Sequence, residues 1–128
     1  MAHAITDVGK DWFTTRSVDG SYNENIDIIA VGTGNDSVKK SDTQLANEQY
    51  RQSKSSGNVT IEATSNTGEI RCTISITGGT EVTAGSDVVE FGLFSSDGTL
   101  IYREVRGNAV TIDSGDNKVF EFKVTVTE

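Results

Sequence analysis

Apolar and polar residues alternate most regularly in the second half of the chain. Ile70, Cys72, Ile74 and Ile76 interleave with Arg71, Thr73, Ser75 and Thr77, the period of two of a half-buried strand. Just before them, Val59, Ile61 and Ala63 interleave with Thr60, Glu62 and Thr64. Asn66-Thr67-Gly68 between the two runs reads as a turn, so the pair predicts an antiparallel hairpin. Val88 to Phe94 is a dense apolar strand around Gly92. Ser95-Ser96-Asp97-Gly98 predicts a second hairpin turn, with a return strand from Leu100 to Val105. Gly107-Asn108 reads as a break, Val110 and Ile112 as a short strand, and Ser114-Gly115-Asp116-Asn117 as another turn. The closing strand puts Phe120, Phe122, Val124 and Val126 on one face.

The first half is less regular. Ile26 to Val31 is apolar on both faces, Ile26 and Ile28 on one and Ile29 and Val31 on the other, which predicts a strand covered on both sides. A loop at Gly32-Thr33-Gly34-Asn35-Asp36 follows. The spacing then predicts one short helix over about 42–51. Ser41 is its N-cap, Gln44 completes a capping box, and Glu48 pairs with Arg51 across one turn. Its apolar stripe is thin, so tertiary contacts must hold it. Residues 1–24 read as an irregular N-terminal arm with a turn at Ser17 to Ser21. Its Trp12-Phe13 pair is expected to anchor either on the chain's own core or in a neighbouring subunit.

The expected fold is mostly β: a β-sandwich or partly open antiparallel barrel with one short inserted helix. Residues 25–128 form its single domain. A length of 128 residues agrees with one domain, and the strand spacing is too short for repeated βαβ units. A hydrophobic content of 34% suffices because only the inward face of each strand has to be apolar.

Composition narrows the chemistry. One cysteine and one histidine exclude an intramolecular disulfide framework, a Cys/His zinc site and a histidine-based triad within one chain. A net charge of -8 argues against a non-specific grip on nucleic acid. No run approaches the ~20 apolar residues that span a bilayer, and Met1 to Val8 has no apolar signal-peptide core. Low lysine among many Asp and Glu, with abundant Ser and Thr, is similar to proteins from brine, where salt screens such a surface.

Candidate motifs are few. Gly32-Thr33-Gly34 lies between a strand and a predicted helix, but the full phosphate-loop pattern is missing. Lys39-Lys40-Ser41 lacks the preceding glycine. Turn carboxylates at Asp36, Asp42, Asp87, Asp97, Asp113 and Asp116 have no EF-hand spacing. Glu62, Glu69 and Glu90 are not set at any defined separation as a glycosidase pair. Cys72 is expected to be buried and inert, and His3 to sit at a mobile end. Asn35 and Asn58 match the glycosylation acceptor pattern. Glu48, paired with Arg51, is a candidate clamp from helix to sheet. No catalytic, cofactor-binding or metal-ligating residue is assigned.

Three groups of residues carry a resemblance. They are Ile28-Ile29-Ala30-Val31-Gly32-Thr33-Gly34; Ser41-Asp42-Thr43-Gln44-Leu45 with Glu48 and Arg51; and Glu90-Phe91-Gly92-Leu93-Phe94 with Asp97-Gly98-Thr99-Leu100 and Arg103. In this order and spacing, the chain from about Ile26 to Val126 resembles small structural proteins of tailed phages and archaeal tailed viruses. It departs from them at Lys39-Lys40 and in having no proline. The resemblance implies a non-enzymatic virion protein with no cofactor. A tail, baseplate or fibre-attachment subunit is the first expectation. A capsid decoration or turret protein, or a receptor- or carbohydrate-binding β-module presenting Tyr22, Tyr50 or Tyr102, is the alternative. Expected partners are copies of itself, other virion proteins and a host-surface glycan or receptor, with neither nucleic acid nor membrane insertion. Interface candidates are Trp12, Phe13, Asp36, Lys39, Lys40 and Asp97. Gly32, Gly34, Glu48, Arg51, Gly92, Phe94 and Gly98 are structural candidates.

Overall fold

The alternating segments assemble into two open antiparallel sheets stacked face to face, with no closed barrel. The computed structural model describes residues 2–18, 25–64 and 68–126. The strands are β1 (Ala2–Ile5), β2 (Ile26–Gly32), β3 (Glu48–Ser53), β4 (Val59–Thr64), β5 (Glu69–Thr77), β6 (Ser86–Ser95), β7 (Leu100–Ile112) and β8 (Asn117–Thr125), and helix α1 spans Asp7–Val18. The larger sheet has the order β1-β7-β6-β2-β3 and the smaller one β4-β5-β8.

Inward positions of both sheets build one core. Ile29 and Val31 of β2, Phe91 and Leu93 of β6 and Tyr102 of β7 meet Cys72, Ile74 and Ile76 of β5 and Phe120, Phe122 and Val124 of β8. Tyr102 stacks on Phe122 at 5.7 Å and 9°, and Phe91 lies 5.1 Å from Phe120, ring contacts that tie the two sheets together. Both predicted hairpins form. Val59 pairs with Ile74 and Ile61 with Cys72, while β6 and β7 join through Ser95 to Thr99 with Gly98 at φ 89°. Part of the first hairpin turn (Asn66, Thr67), residues 19–24 of the arm including Tyr22, and Thr127 lie outside the described residues.

The predicted helix over 42–51 does not form. That segment is a loop that enters strand β3 at Glu48. Its backbone donors go to tertiary partners instead of carbonyls four residues back: Ala46 and Asn47 donate to the Glu90 carboxylate. A thin apolar stripe could not outweigh those contacts. The one helix among the described residues is α1, inside the arm read as irregular. Thr6 is its N-cap, its Oγ1 accepting from Gly9 N at 2.9 Å, and Asp7 and Arg16 sit at the ends that suit their charges. Gly9 presses against β7, where a Cβ would come within 2.6 Å of Ile101 O.

Bulges account for the other departures. A register shift between Ile26 and Ile28 sends Ile26 to the main core and Ile28 to the opposite face, although simple alternation placed them together. The break read at Gly107-Asn108 is an outward bulge within one strand. Glu90 faces Val105 and Val88 faces Val110, so Arg106 to Ala109 have only Val89 opposite them.

Candidate functional site

The outer face of the larger sheet is covered by the loop between β2 and β3. Leu45 drops from that loop onto Ala30, Phe94 and Leu100 and forms a second small core with them. Gly92 lies beneath it. A Cβ there would stand 2.8 Å from Leu45 Cδ2 and 3.0 Å from Phe94 Cε1.

Beside this small core two charged residues are sealed from water. Glu90 of β6 is 0% exposed and Arg103 of β7 is 1% exposed. Arg103 Nε and Nη2 donate to Glu90 Oε1 at 3.1 and 2.9 Å. The carboxylate also accepts from three loop amides: Gly34 N at 2.9 Å, Ala46 N at 2.6 Å and Asn47 N at 3.0 Å. Gly32 and Gly34 allow this approach, since a Cβ on Gly32 would lie 2.5 Å from Asn47 O and from Glu90 Oε2. Of the Gly-Thr-Gly segment only the Gly34 amide donates to an anion, and that anion is the chain's own Glu90.

Arg103 reaches onward into the loop. Nη1 donates to Asp42 Oδ2 at 3.0 Å and Nη2 to Asp36 Oδ1 at 2.7 Å. Burial works to lower its pKa, but the hydrogen bonds to Asp42, Glu90 and Asp36 outweigh it and hold the guanidinium above its ordinary value. One cation thus ties two sheet strands to a loop that local propensity leaves free.

Glu48 and Arg51 do pair, at 2.6 and 2.8 Å, but on a strand. The register shifts between Val31 and Gly32, leaving Gln49 unpaired, so residues three apart share a face. The Arg51 guanidinium lies 4.3 Å from the centre of the Phe94 ring. The expected clamp belongs to Glu90 and Arg103, not to Glu48. In the sequence Glu90 appeared in a loose set of glutamates and, with Arg103, in the hairpin motif that carries the resemblance, but neither reading paired the two. The available signal was a charged residue at an otherwise apolar strand position, with an arginine at a fixed distance across the hairpin turn.

A second polar cluster lies between the sheets. Tyr102 Oη donates to Glu104 Oε1 at 2.8 Å and Arg106 Nε to Glu104 Oε2 at 2.9 Å. Arg106 also covers the Phe91 ring at 4.5 Å. Burial pushes the Tyr102 phenol up, with Glu104 adding to it. Cys72 is buried as expected, and burial, then the Glu104 charge, pushes its thiol from 9.0 to about 12.

The interface candidates scatter. Trp12 and Phe13 are half-buried on α1, edge to face at 5.3 Å, and Arg16 lies 4.2 Å over the Trp12 ring. Arg16 pairs with Asp97 at 3.4 Å, so the arm folds onto its own sheet near the β6–β7 turn. The Asp97 carboxyl is held below its ordinary value, chiefly by the Ser95 hydroxyl. Asp36 is spent on Arg103, while Lys39 and Lys40 are exposed. Tyr102 is 3% exposed and Tyr50 packs on the main core, so neither offers an open aromatic platform. Asn35 is exposed, whereas the Asn58 amide donates to Tyr50 Oη and Ser75 O.

Among the described residues, no three Asp, Glu, His or Cys side chains gather as a metal site, and no helix is long and apolar enough to cross a membrane. Comparison with protein-family models, curated proteins and solved structures finds no match to this chain.

Proposed function

We propose that this chain is a non-enzymatic structural subunit of a virion, a tail, baseplate or fibre-attachment part of a tailed virus. One observation carries the reading. The residues that resemble such proteins converge on a single feature, the Glu90–Arg103 pair and the small core beside it. Gly32 and Gly34 open the way to Glu90; Asp42 holds Arg103; Leu45, Phe94 and Leu100 pack over Gly92. The recurring residues therefore serve to pin a loop on a sheet, which is work for a scaffold. Glu90 spends both oxygens on the chain's own donors, which further favours a structural over a catalytic role.

A subunit of this kind repeats by symmetry through matched patches. The test is to localise the chain in a reconstruction of the intact particle. Density for it in threefold or sixfold rings of the tail or baseplate is expected. Its absence from both tail and capsid would end the proposal. Light scattering behind size exclusion, from low to molar salt, reads the self-association of the isolated chain.

A further inference from the structure

On the side of the sandwich where β1 and β8 lie, three lysines from separate elements share one cavity. That cavity, of about 290 Å³, is walled by Lys10 of α1, Lys40 of the β2–β3 loop, Lys123 of β8 and His3 of β1, and no carboxylate lines it. It shares His3, Tyr102, Lys123 and Thr125 with a larger cavity of about 670 Å³ that reaches Arg106. The chain has 19 acidic and 11 basic residues, so a cavity with three lysines and no carboxylate on its wall runs against its overall balance.

The pairing pattern sharpens this. Every arginine is matched to a carboxylate: Arg16 to Asp97, Arg51 to Glu48, Arg71 to Glu121, Arg103 to Glu90, and Arg106 to Glu104. None of the six lysines has a carboxylate partner among the described residues, and three of them, Lys10, Lys40 and Lys123, share this one cavity. The two carboxylates on the larger cavity are already engaged, Glu104 by Tyr102 and Arg106 and Glu121 by Arg71. Clustering like charges costs free energy in the isolated protein, and an anionic ligand recovers it.

Strand edges indicate what kind of anion fits. β1 pairs only with β7 and β8 only with β5, so each leaves one edge unpaired, and both strands line this groove. A free edge accepts an extended chain through main-chain hydrogen bonds. A lone phosphate is better served by a guanidinium fork or a nest of amides, and the smaller cavity has no arginine on its wall. We infer that the groove between β1 and β8 binds an extended acidic peptide segment of a partner protein. Its backbone would add to a strand edge and its carboxylates would meet Lys10, Lys40 and Lys123. The inference rests on this groove alone and stands or falls apart from the virion reading.

Titration of the ¹⁵N-labelled full chain at low salt tests it. The probe is a synthetic peptide of alternating Glu and Val; the controls are its Gln-for-Glu analogue, inorganic phosphate and a heparin fragment. Saturable shifts at Ala2 to Ile5 and Lys123 to Thr125 are expected with the acidic peptide alone. The Lys10→Gln, Lys40→Gln, Lys123→Gln triple variant should bind at least ~10-fold more weakly, and Lys54→Gln should bind as the parent does. These lysines are exposed, and the variant's own spectrum reports whether its fold is intact. Absence of saturable shifts, equal binding by the Gln analogue or the triple variant, or equal competition by phosphate or heparin would each overturn the proposal.

Discussion

Arg103 and Glu90 meet diagonally across the β6–β7 hairpin at 2.9 Å, Arg103 standing opposite Gly92 and Glu90 opposite Val105, and both are sealed from water by a loop that neither belongs to. The pair is stable only because the loop amides and Asp36 and Asp42 satisfy what remains of the two charges. Such an arrangement is weak evidence of net stabilisation, yet it is costly to break from one side. Arg103→Met or Glu90→Gln alone should lower unfolding free energy by ~3–5 kcal/mol in urea titrations. The double variant should lose well below the sum of the two. Additive losses would mean that the pair does not act as a unit.

Gly32 at the end of β2 and Gly57 between β3 and β4 should respond to alanine with opposite sign. Gly32→Ala drives a methyl against Asn47 O and the Glu90 carboxylate and should cost ~1–3 kcal/mol. Gly57 has nothing within 4 Å of the same methyl, and its backbone does not require glycine. Gly57→Ala should be neutral or stabilise by up to ~1 kcal/mol through the unfolded chain. Thermal or urea unfolding of both variants makes the comparison.

The helix start depends on Thr6, which is fully buried and whose hydroxyl also donates to Leu100 O on β7. Thr6→Ala removes a cap and leaves a buried carbonyl short of a donor, at a cost of ~1–2 kcal/mol. Hydrogen exchange should show α1 opening first. Unchanged protection of Val8 to Lys10 would contradict the assigned cap.

Alkaline pH should weaken the fold through Cys72. Its native pKa is about 12 against 9.0 for a free thiol, so the folded state holds its proton longer than the unfolded one. The contribution is intact below pH 9.0 and is lost as pH rises toward about 12. The slope is at most ~1.4 kcal/mol per pH unit from this group. Cys72→Ala should flatten urea midpoints over that window, leaving only the share from the Tyr102 phenol, whose pKa is raised as well. The native thiol should also resist thiol reagents until the chain unfolds.

Glu48 and Arg51 provide the contrast of an exposed pair. Glu48→Gln should cost less than ~1 kcal/mol, because water screens the pair. Arg51 keeps its place on the Phe94 ring without it. A larger loss would restore the clamp that the sequence spacing suggested.

Much of the sandwich was legible before folding. The alternations at Val59 to Ile76 and Phe120 to Val124 stand for inward and outward faces, and the turn at Ser95 to Gly98 joins the strands it was expected to join. Alternation is a local consequence of the pleat, so sequence carries it directly. The helix was misplaced because a capping box and a lone Leu45 looked helical over 42–51, while the Thr6 cap and the Gly9, Trp12, Phe13 spacing over α1 passed as irregular.

Sequence alone determined which residues face inward on the regular strands, that a single cysteine allows no disulfide within the chain, and that acidic residues outnumber basic ones. Tertiary structure alone decided that Glu90 would take the amides of residues 34, 46 and 47, and that three lysines from a helix, a loop and a strand would share one groove. The physical reason is separation along the chain. A pleat relates neighbours two residues apart, but Glu90 lies 43 to 56 positions from its loop donors. Only the side-by-side pairing of β2, β6 and β7 in one sheet, with the β2–β3 loop folded over it, brings such groups within hydrogen-bond reach.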